Sequence, residues 1–529
     1  MNDPSRPFSI FTERIRSARG LQYRGDLDAP LIEVDEAMRT IAGFYERTRN
    51  TLEYGEADFL RQRAIERSLR RMLGFGSATL PVRAGDEGKA LEFLRELVRA
   101  GYLPNAALPE TIALPVGRTI TRFLALSAIV NPLFHDELLR FTVFTIEDVI
   151  FPRRAAAHSA MVAFVLATCE TRLKWPQIAF SDPSHRAFLF AAAHRAVLNA
   201  GTDRILAAFL GDALPALRED GIEDPELLAR DFESVLTVAK RTIAHPRTEQ
   251  YARVIRRFAA AFRALDAVVF TAVDDGITPH DTLELERRID EAVAVRIADA
   301  RRKMRVAAVR ATLYVFFTKM LVGLGIELPY DYFFLAHFAA QPFLINLLFP
   351  PALMFLVAFS ARPPKAAVAD RIVDEALRIA AGTDSLGHAR LPRKRGPLRL
   401  GLFIIATGLL SGGALTLIVR GLALLGFSPV AMVVFLAFLS LVSVFAWRVR
   451  KPLRELAVSG GRGVLGTILE IFAFPFLALG RILSDGLASF NVFLFLLDVF
   501  IEAPLKFLFA AAEDWIAFLR EKREEMIEE

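Results

Sequence analysis

The chain has 529 residues, 53% of them hydrophobic and 24% charged, with a mean hydropathy of +0.35. Those figures coexist only when apolar and charged residues are segregated along the chain, which excludes a wholly soluble protein, a disordered chain and a collagen-like or disulfide-stapled one. The 65 basic and 60 acidic residues leave a net charge of only +5, and the single cysteine, Cys169, can form no intramolecular disulfide.

Met1 to Gly20 has no apolar run of the signal-peptide kind, so insertion into a membrane is expected to rely on internal segments. Residues 1–278 read as an all-helical cytoplasmic domain. Ile32, Ala37, Met38, Ile41, Phe44 and Tyr45 keep helical spacing, and so do Leu60, Ile65, Leu69, Met72 and Leu73. Among the latter lie Arg61, Arg63, Arg67, Arg70 and Arg71, without the interleaved aromatic residues that stack bases. They are expected to pair with acids of the same domain, and no nucleic-acid partner is expected. The apolar runs at Phe123–Leu133, Met161–Thr168 and Ala187–Leu198 are shorter than the ~20 residues needed to cross a bilayer and suit core helices. Asp224-Pro225-Glu226 supplies an N-cap, a first-turn proline and a first-turn acid for another.

After Thr278-Pro279-His280-Asp281-Thr282 nothing breaks a helix until Pro329. Leu285, Ile289, Val293, Ile297, Ala300, Met304, Ala308 and Ala311 step by threes and fours along one face. The spacing predicts one helix of about 45 residues that carries the chain into the bilayer. Its basic part, within residues 279–310, places Arg296, Arg301, Arg302, Lys303, Arg305 and Arg310 against Asp299 alone over 296–310. Arg301, Arg302, Lys303 and Arg305 are the candidate contacts to anionic headgroups, at about 1 kcal/mol each.

Six apolar segments follow: Ala311–Leu328, Phe333–Phe359, Leu400–Val419, Val430–Trp447, Val464–Leu483 and Phe490–Ala512. Basic residues crowd the connectors 361–399 and 448–462, whereas those near Tyr330 and Ser428 lack them. The positive-inside rule then sets three hairpins, 311–360, 400–447 and 463–512, with both termini and a charged tail, 513–529, in the cytoplasm. The expected architecture is all-α: a cytoplasmic helical domain joined by a stalk helix to a polytopic membrane domain of four to six spans, in a bacterial cytoplasmic membrane. Gly408 and Gly412 give a GxxxG step suited to close helix contact.

Charges inside the spans are functional candidates by default. Lys319 lies midway along the first, and a turn near Tyr330 would put Gln341 at the same depth. The simpler expectation is that Lys319 snorkels toward an interface. In the last two segments, a turn near Gly486 would bring Glu470 opposite Glu502, with Lys506 four residues on; helices lying flat among headgroups, or a purely structural pairing, are the favoured alternatives. Pro342, Pro350 and Pro351 are expected to kink or break the second span. Gly461, Gly463 and Gly466 have GxGxxG spacing but no preceding strand. No Walker A, HExxH or GxSxG sequence occurs and the eight histidines are scattered, so neither an enzyme nor a cofactor is expected. The expected function is a non-enzymatic sensor or scaffold that takes a cytoplasmic protein partner or a second copy, with a small-ion or proton pathway as the alternative.

Overall fold

The computed structural model describes residues 6–21, 30–35, 57–72, 87–176, 184–218, 224–275, 282–334, 340–359, 366–382, 385–389, 397–449, 476–477 and 479–480. Glu470, Glu502, Lys506 and His337 lie outside these residues. The fold is all-helical, and the described residues form no strand.

In the amino-terminal region α1 (Arg6–Arg19), α2 (Ala57–Met72), α3 (Glu87–Arg99), α4 (Ala113–Ser127) and α5 (His135–Ile150) lead to α6 (Pro152–Arg172). Next come α7 (His185–Val197), α8 (Thr202–Ala213), α9 (Pro225–Ala244), α10 (Pro246–Ile255) and α11 (Ala259–Asp274). They enclose two apolar cores. One gathers Ile65, Leu94, Val116, Ile146, Leu210 and Phe232 from α2 to α5, α8 and α9. The other gathers Phe11, Phe164, Tyr251 and Phe262 from α1, α6, α10 and α11, with Phe11 stacked on Phe164 at 4.9 Å and Phe262 edge-on to Phe164 at 5.4 Å. Cys169 is buried in this second core, and burial pushes its thiol up to about 12, so it behaves as a small apolar side chain.

The arginines of α2 are engaged, as their setting predicts. Arg61 meets Glu147 at 2.9 Å, Arg70 meets Glu66 and Asp136 at 3.0 and 2.8 Å, and Arg71 pairs with Glu96. Arg67 donates to the Tyr102 hydroxyl, and Arg63 lies over the Phe59 ring. The Asp224 carboxylate accepts from Leu227 N–H at 2.9 Å with Pro225 in the first turn. Other arginines close the ends of neighbouring helices, where the last carbonyls have no helical donor. Arg19 donates to Val273 and Asp274 at the end of α11, Arg263 to Ala196 and Val197 at the end of α7, and Arg195 to Ile243 at the end of α9.

Helix α12 (Thr282–Val322) has 41 residues and is about 60 Å long. All eight residues of the predicted stripe are buried, as is Val315 one turn further. The stripe serves two cores in succession. Leu285, Ile289, Val293 and Ile297 complete the core around Phe262; Met304, Ala308, Ala311 and Val315 build a separate one with Met354, Leu441 and Val442. The helix passes into a π turn at Gly323–Glu327 and then into α13 (Leu328–Phe334). Pro329 therefore does not end it, because the wider turn redirects the bonds that a proline would leave open.

α14 (Ala340–Phe359) returns along α12 and runs through Pro350 and Pro351 without breaking. Next in the chain, α15 (Ala366–Ala381) lies within the basic connector. Ile372, Ala376 and Ile379 are buried in the core around Phe262, on α11 and α12. Arg172 donates to the carbonyls of Arg378 and Ile379 at the end of α15, and Lys174 pairs through its backbone with Gly387 and Ala389.

α16 (Pro397–Leu424) and α17 (Pro429–Val449) form a hairpin. Gly426 adopts φ +78°, and Phe427 N–H bonds back to the Leu422 carbonyl, the left-handed helix stop that favours glycine. Among the described residues two helices, Ile405–Leu424 and Pro429–Val449, are long and apolar enough to cross a membrane, and Gln341–Leu356 is a shorter apolar one. The total rises to three if Pro132–Ile150 and Pro152–Arg172, bent by 109°, count as one span. The expectation of four to six spans is therefore matched only in its all-helical character and in these helices. The predicted GxxxG contact is absent among the described residues, since nothing lies within 4 Å of a Cβ placed at Gly408 or Gly412.

Candidate functional site

Among the described residues the most heavily buried ion pair lies where α12, α14 and α17 meet. Lys319 and Asn346 are fully buried and Glu327 nearly so. Lys319 does not snorkel: its ammonium is bonded to the Glu327 carboxylate and sits 4.9 Å from the centre of the Phe438 ring. Asn346 Nδ2 donates to the other Glu327 oxygen at 2.6 Å and to the Ala431 carbonyl at 3.4 Å. With both amide hydrogens so directed, Asn346 Oδ1 is left buried without a hydrogen-bond partner.

Two backbone irregularities produce this arrangement. Residues eight apart on an α-helix differ by about 80° in direction, which would point Glu327 away from Lys319. The π turn accommodates one extra residue, so the two come within about 20° of each other. On α14, Pro350 has no N–H for the Asn346 carbonyl four residues earlier, and Pro351 has none either. Asn346 thus presents a main-chain carbonyl without its helical donor beside its unpartnered amide oxygen.

Among the described side chains the polar face continues one way along the chain. Asp331, one turn beyond Glu327, has a buried Oδ1 with no partner although the residue itself is half-buried. Toward the helical domain, the face below Lys319 is Val315, Ala311, Ala308 and Met304, packed on Met354, Leu441 and Val442. The buried Ser440 hydroxyl there donates to its own helix at Leu436.

The other sequence candidates fare differently. Gln341 is exposed and does not join Lys319; Asn346, five residues on, occupies that place. Of the basic collar, Arg302 and Lys303 reach Asp299 at 3.0 and 3.1 Å, and both remain exposed with Arg305 and Arg310, while Arg301 is half-buried. Arg296 does not belong to the collar. It turns toward Asp266 of α11, whose carboxyl burial pushes up to about 6.

No family model, curated protein or solved structure matches this chain. Among the described residues no group of three or more histidine, cysteine or acidic side chains could hold a metal ion. The Lys319–Glu327–Asn346 cluster can therefore be read only from its own chemistry. It holds an ion pair of zero net charge, an amide that fixes the carboxylate, and acceptors in want of a donor.

Proposed function

We propose that this chain is a multi-pass integral membrane protein of four to six spans without enzymatic activity, in which a cytoplasmic helical domain meets a protein partner and α12 couples that domain to the membrane bundle. The observation that carries this reading is the single buried stripe of α12, which enters one core as it leaves the other. A helix held along its whole length moves as a unit, so displacement in either core is felt in the other. The return of residues 366–389 to the helical domain supports placing the connector on that domain's side of the membrane. The exposed collar residues suit anionic headgroups, and the uncovered glycines of α16 suit a helix of a second copy.

Inserting one residue after Arg301 tests the coupling. It rotates the lower stripe by about 100° against the upper one. Thermal unfolding followed by separate probes in domain and bundle should coincide in the native chain and split in the insertion variant. Unchanged coincidence would sink the reading. Reporters at His388 and Glu529 should lie on one side of the membrane and a reporter at Ser428 on the other.

The second reading is a small-ion or proton pathway, favoured by the buried Lys319–Glu327 pair. Its test is flux through the purified protein in liposomes, with Glu327→Gln as the control.

A further inference from the structure

We infer that the Lys319–Glu327 pair is a proton-sensing site open toward the end of the bundle opposite the helical domain, and that its output is the winding of the Gly323–Glu327 turn. This deepens the coupling reading above and rests on it, because it supplies the signal that α12 would carry.

Three observations lead here. First, the polar face is one-sided. Glu327 and Asp331 step from the pair toward the far end of the bundle, with a buried acceptor on Asp331 that has no donor. Toward the helical domain the same face is closed by Val315, Ala311, Ala308 and Met304. Among the described side chains the polar groups thus lie on one side of the pair, the arrangement a sensor needs and a pathway does not. Second, the site holds an acceptor that lacks a donor, Asn346 Oδ1, and Pro350 withholds the usual α-helical donor from the Asn346 carbonyl. Buried polar atoms left so commonly mark a bound water or ion, and a water there would link the pair to Asp331. Third, the residues between the two charges form the one π turn among the described residues, in the sequence Gly-Leu-Gly-Ile-Glu. Neither glycine is needed for space: a Cβ at Gly325 meets nothing within 4 Å, and one at Gly323 makes ordinary contact with Phe343 at 3.5 Å. Glycine there keeps the turn able to rewind.

The charged groups around the site are few. Its own helix brings Lys319, Glu327, Tyr330 and Asp331. α14 brings no titratable side chain, α17 Arg448 at its opposite end, and α16, which packs on both through Leu422, the exposed Arg420. The described residues 476–480 bring none. The chemical step is a single protonation. A proton from water at the far end reaches the Glu327 carboxylate by way of Asp331, and the carboxylate becomes a carboxyl. Lys319 keeps its proton and loses its counter-charge. An unpaired ammonium over Phe438 is costly in apolar surroundings, and rewinding the turn to α, which swings residue 327 by about 100°, lets the packing change around it.

The test uses the full chain reconstituted in one orientation, with pH set separately on the two faces. Cys169, the only native cysteine, is buried, so cysteines introduced at the exposed Leu313 and Tyr332 take spin labels selectively across the turn. A second pair at the exposed Val238 and Val295 reports the helical domain against α12. Mild acid at the far face should shift the Leu313–Tyr332 separation, and acid at the domain face alone should not. Glu327→Gln should hold the acid separation at every pH. Asp331→Asn should slow the shift about tenfold and leave its end points unchanged, which keeps the test decisive should Glu327→Gln fail to fold. A separation indifferent to far-face pH, an equal response from the domain face, or proton flux through the unmodified protein would each overturn the inference. A shift at Leu313–Tyr332 with none at Val238–Val295 would instead overturn the coupling reading and leave the sensor standing.

Discussion

In the helical domain, arginines reach from one helix to the carboxyl end of another: Arg19 to α11, Arg172 to α15, Arg195 to α9, Arg263 to α7. Each cation meets carbonyls that have no helical donor and the negative end of a helix dipole, with water still near. The bundle described around α12, α14 and α17 works otherwise. Among the described residues its buried ion pair is Lys319 with Glu327, and the side chains of α12 on the helical-domain side of it are apolar at Val315, Ala311, Ala308 and Met304. Distributed pairings can be lost singly at modest cost, whereas a concentrated one makes the bundle depend on two side chains. A core exposed to water at its margins tolerates many weak polar links, and one that is apolar throughout tolerates few.

That contrast can be broken most directly at the ion pair. Lys319→Ala should cost about 3–5 kcal/mol by stranding the Glu327 carboxylate. Replacing both partners, Lys319→Met with Glu327→Leu, should recover most of the loss, as read by thermal unfolding of the detergent-solubilised chain. Equal losses in the two variants would mean that the charges are not coupled. In the helical domain Arg172→Met removes two charge-assisted bonds at the end of α15 and should cost about 2–3 kcal/mol. Protease sensitivity should appear within 366–389 before the rest of the domain unfolds.

The domain also titrates in a way that sharpens the contrast. Burial holds His194 down to about 4 and pushes Asp266 up to about 6. The His194 contribution is present above its ordinary pKa and is lost as pH falls toward 4. The Asp266 contribution is present at low pH and is lost as pH rises through 6. Over the window between them the two oppose each other and flatten the profile of the native chain. Asp266→Asn should therefore stabilise the domain by about 2 kcal/mol above pH 7 and expose the acid loss due to His194. An unchanged pH slope would refute this. Smaller effects are expected from helix ends and crossings. A Cβ at Gly480 would overlap the Ser440 carbonyl and the Val444 side chain, so Gly480→Ala should cost about 1–2 kcal/mol. Asp224→Ala should cost about 1 kcal/mol through the lost N-cap; both are measurable by denaturant midpoints.

The stripe of α12 could be read from sequence to the residue because burial on a helix obeys one period, whichever core receives it. The Asp224 cap and the engagement of the α2 arginines were legible for similar local reasons. Lys319 stood out as a charge among apolar residues, but its partners did not. Pro329 suggested a turn near Tyr330, whereas the π turn carries the helix on to Phe334 and shifts the phase by one residue. The same slip made Gln341 the expected neighbour in place of Asn346. Helix phase beyond an irregular turn depends on packing, which periodicity does not encode. The arginine caps escaped notice because each joins residues far apart in sequence, such as Arg19 with Val273. The helix within the connector was hidden for another reason: its basic excess indicated a side of the membrane, while Ile372, Ala376 and Ile379 indicated burial.

Helix α15 also fixes an order of events during synthesis. The core around Phe262 needs Ile372, Ala376 and Ile379, yet these residues follow the apolar stretch of α14 in the chain. Translation runs from the amino terminus, so the segments before α12 leave the ribosome with that core unfinished. In the proposed topology the intervening segment enters the bilayer before α15 can return and close that core. Until then an apolar groove on α11 and α12 stands open, the kind of surface that holdase chaperones shield. On that proposal maturation of the helical domain is conditional on membrane insertion, and a chain that fails to insert is left with an incomplete domain for quality control to recognise.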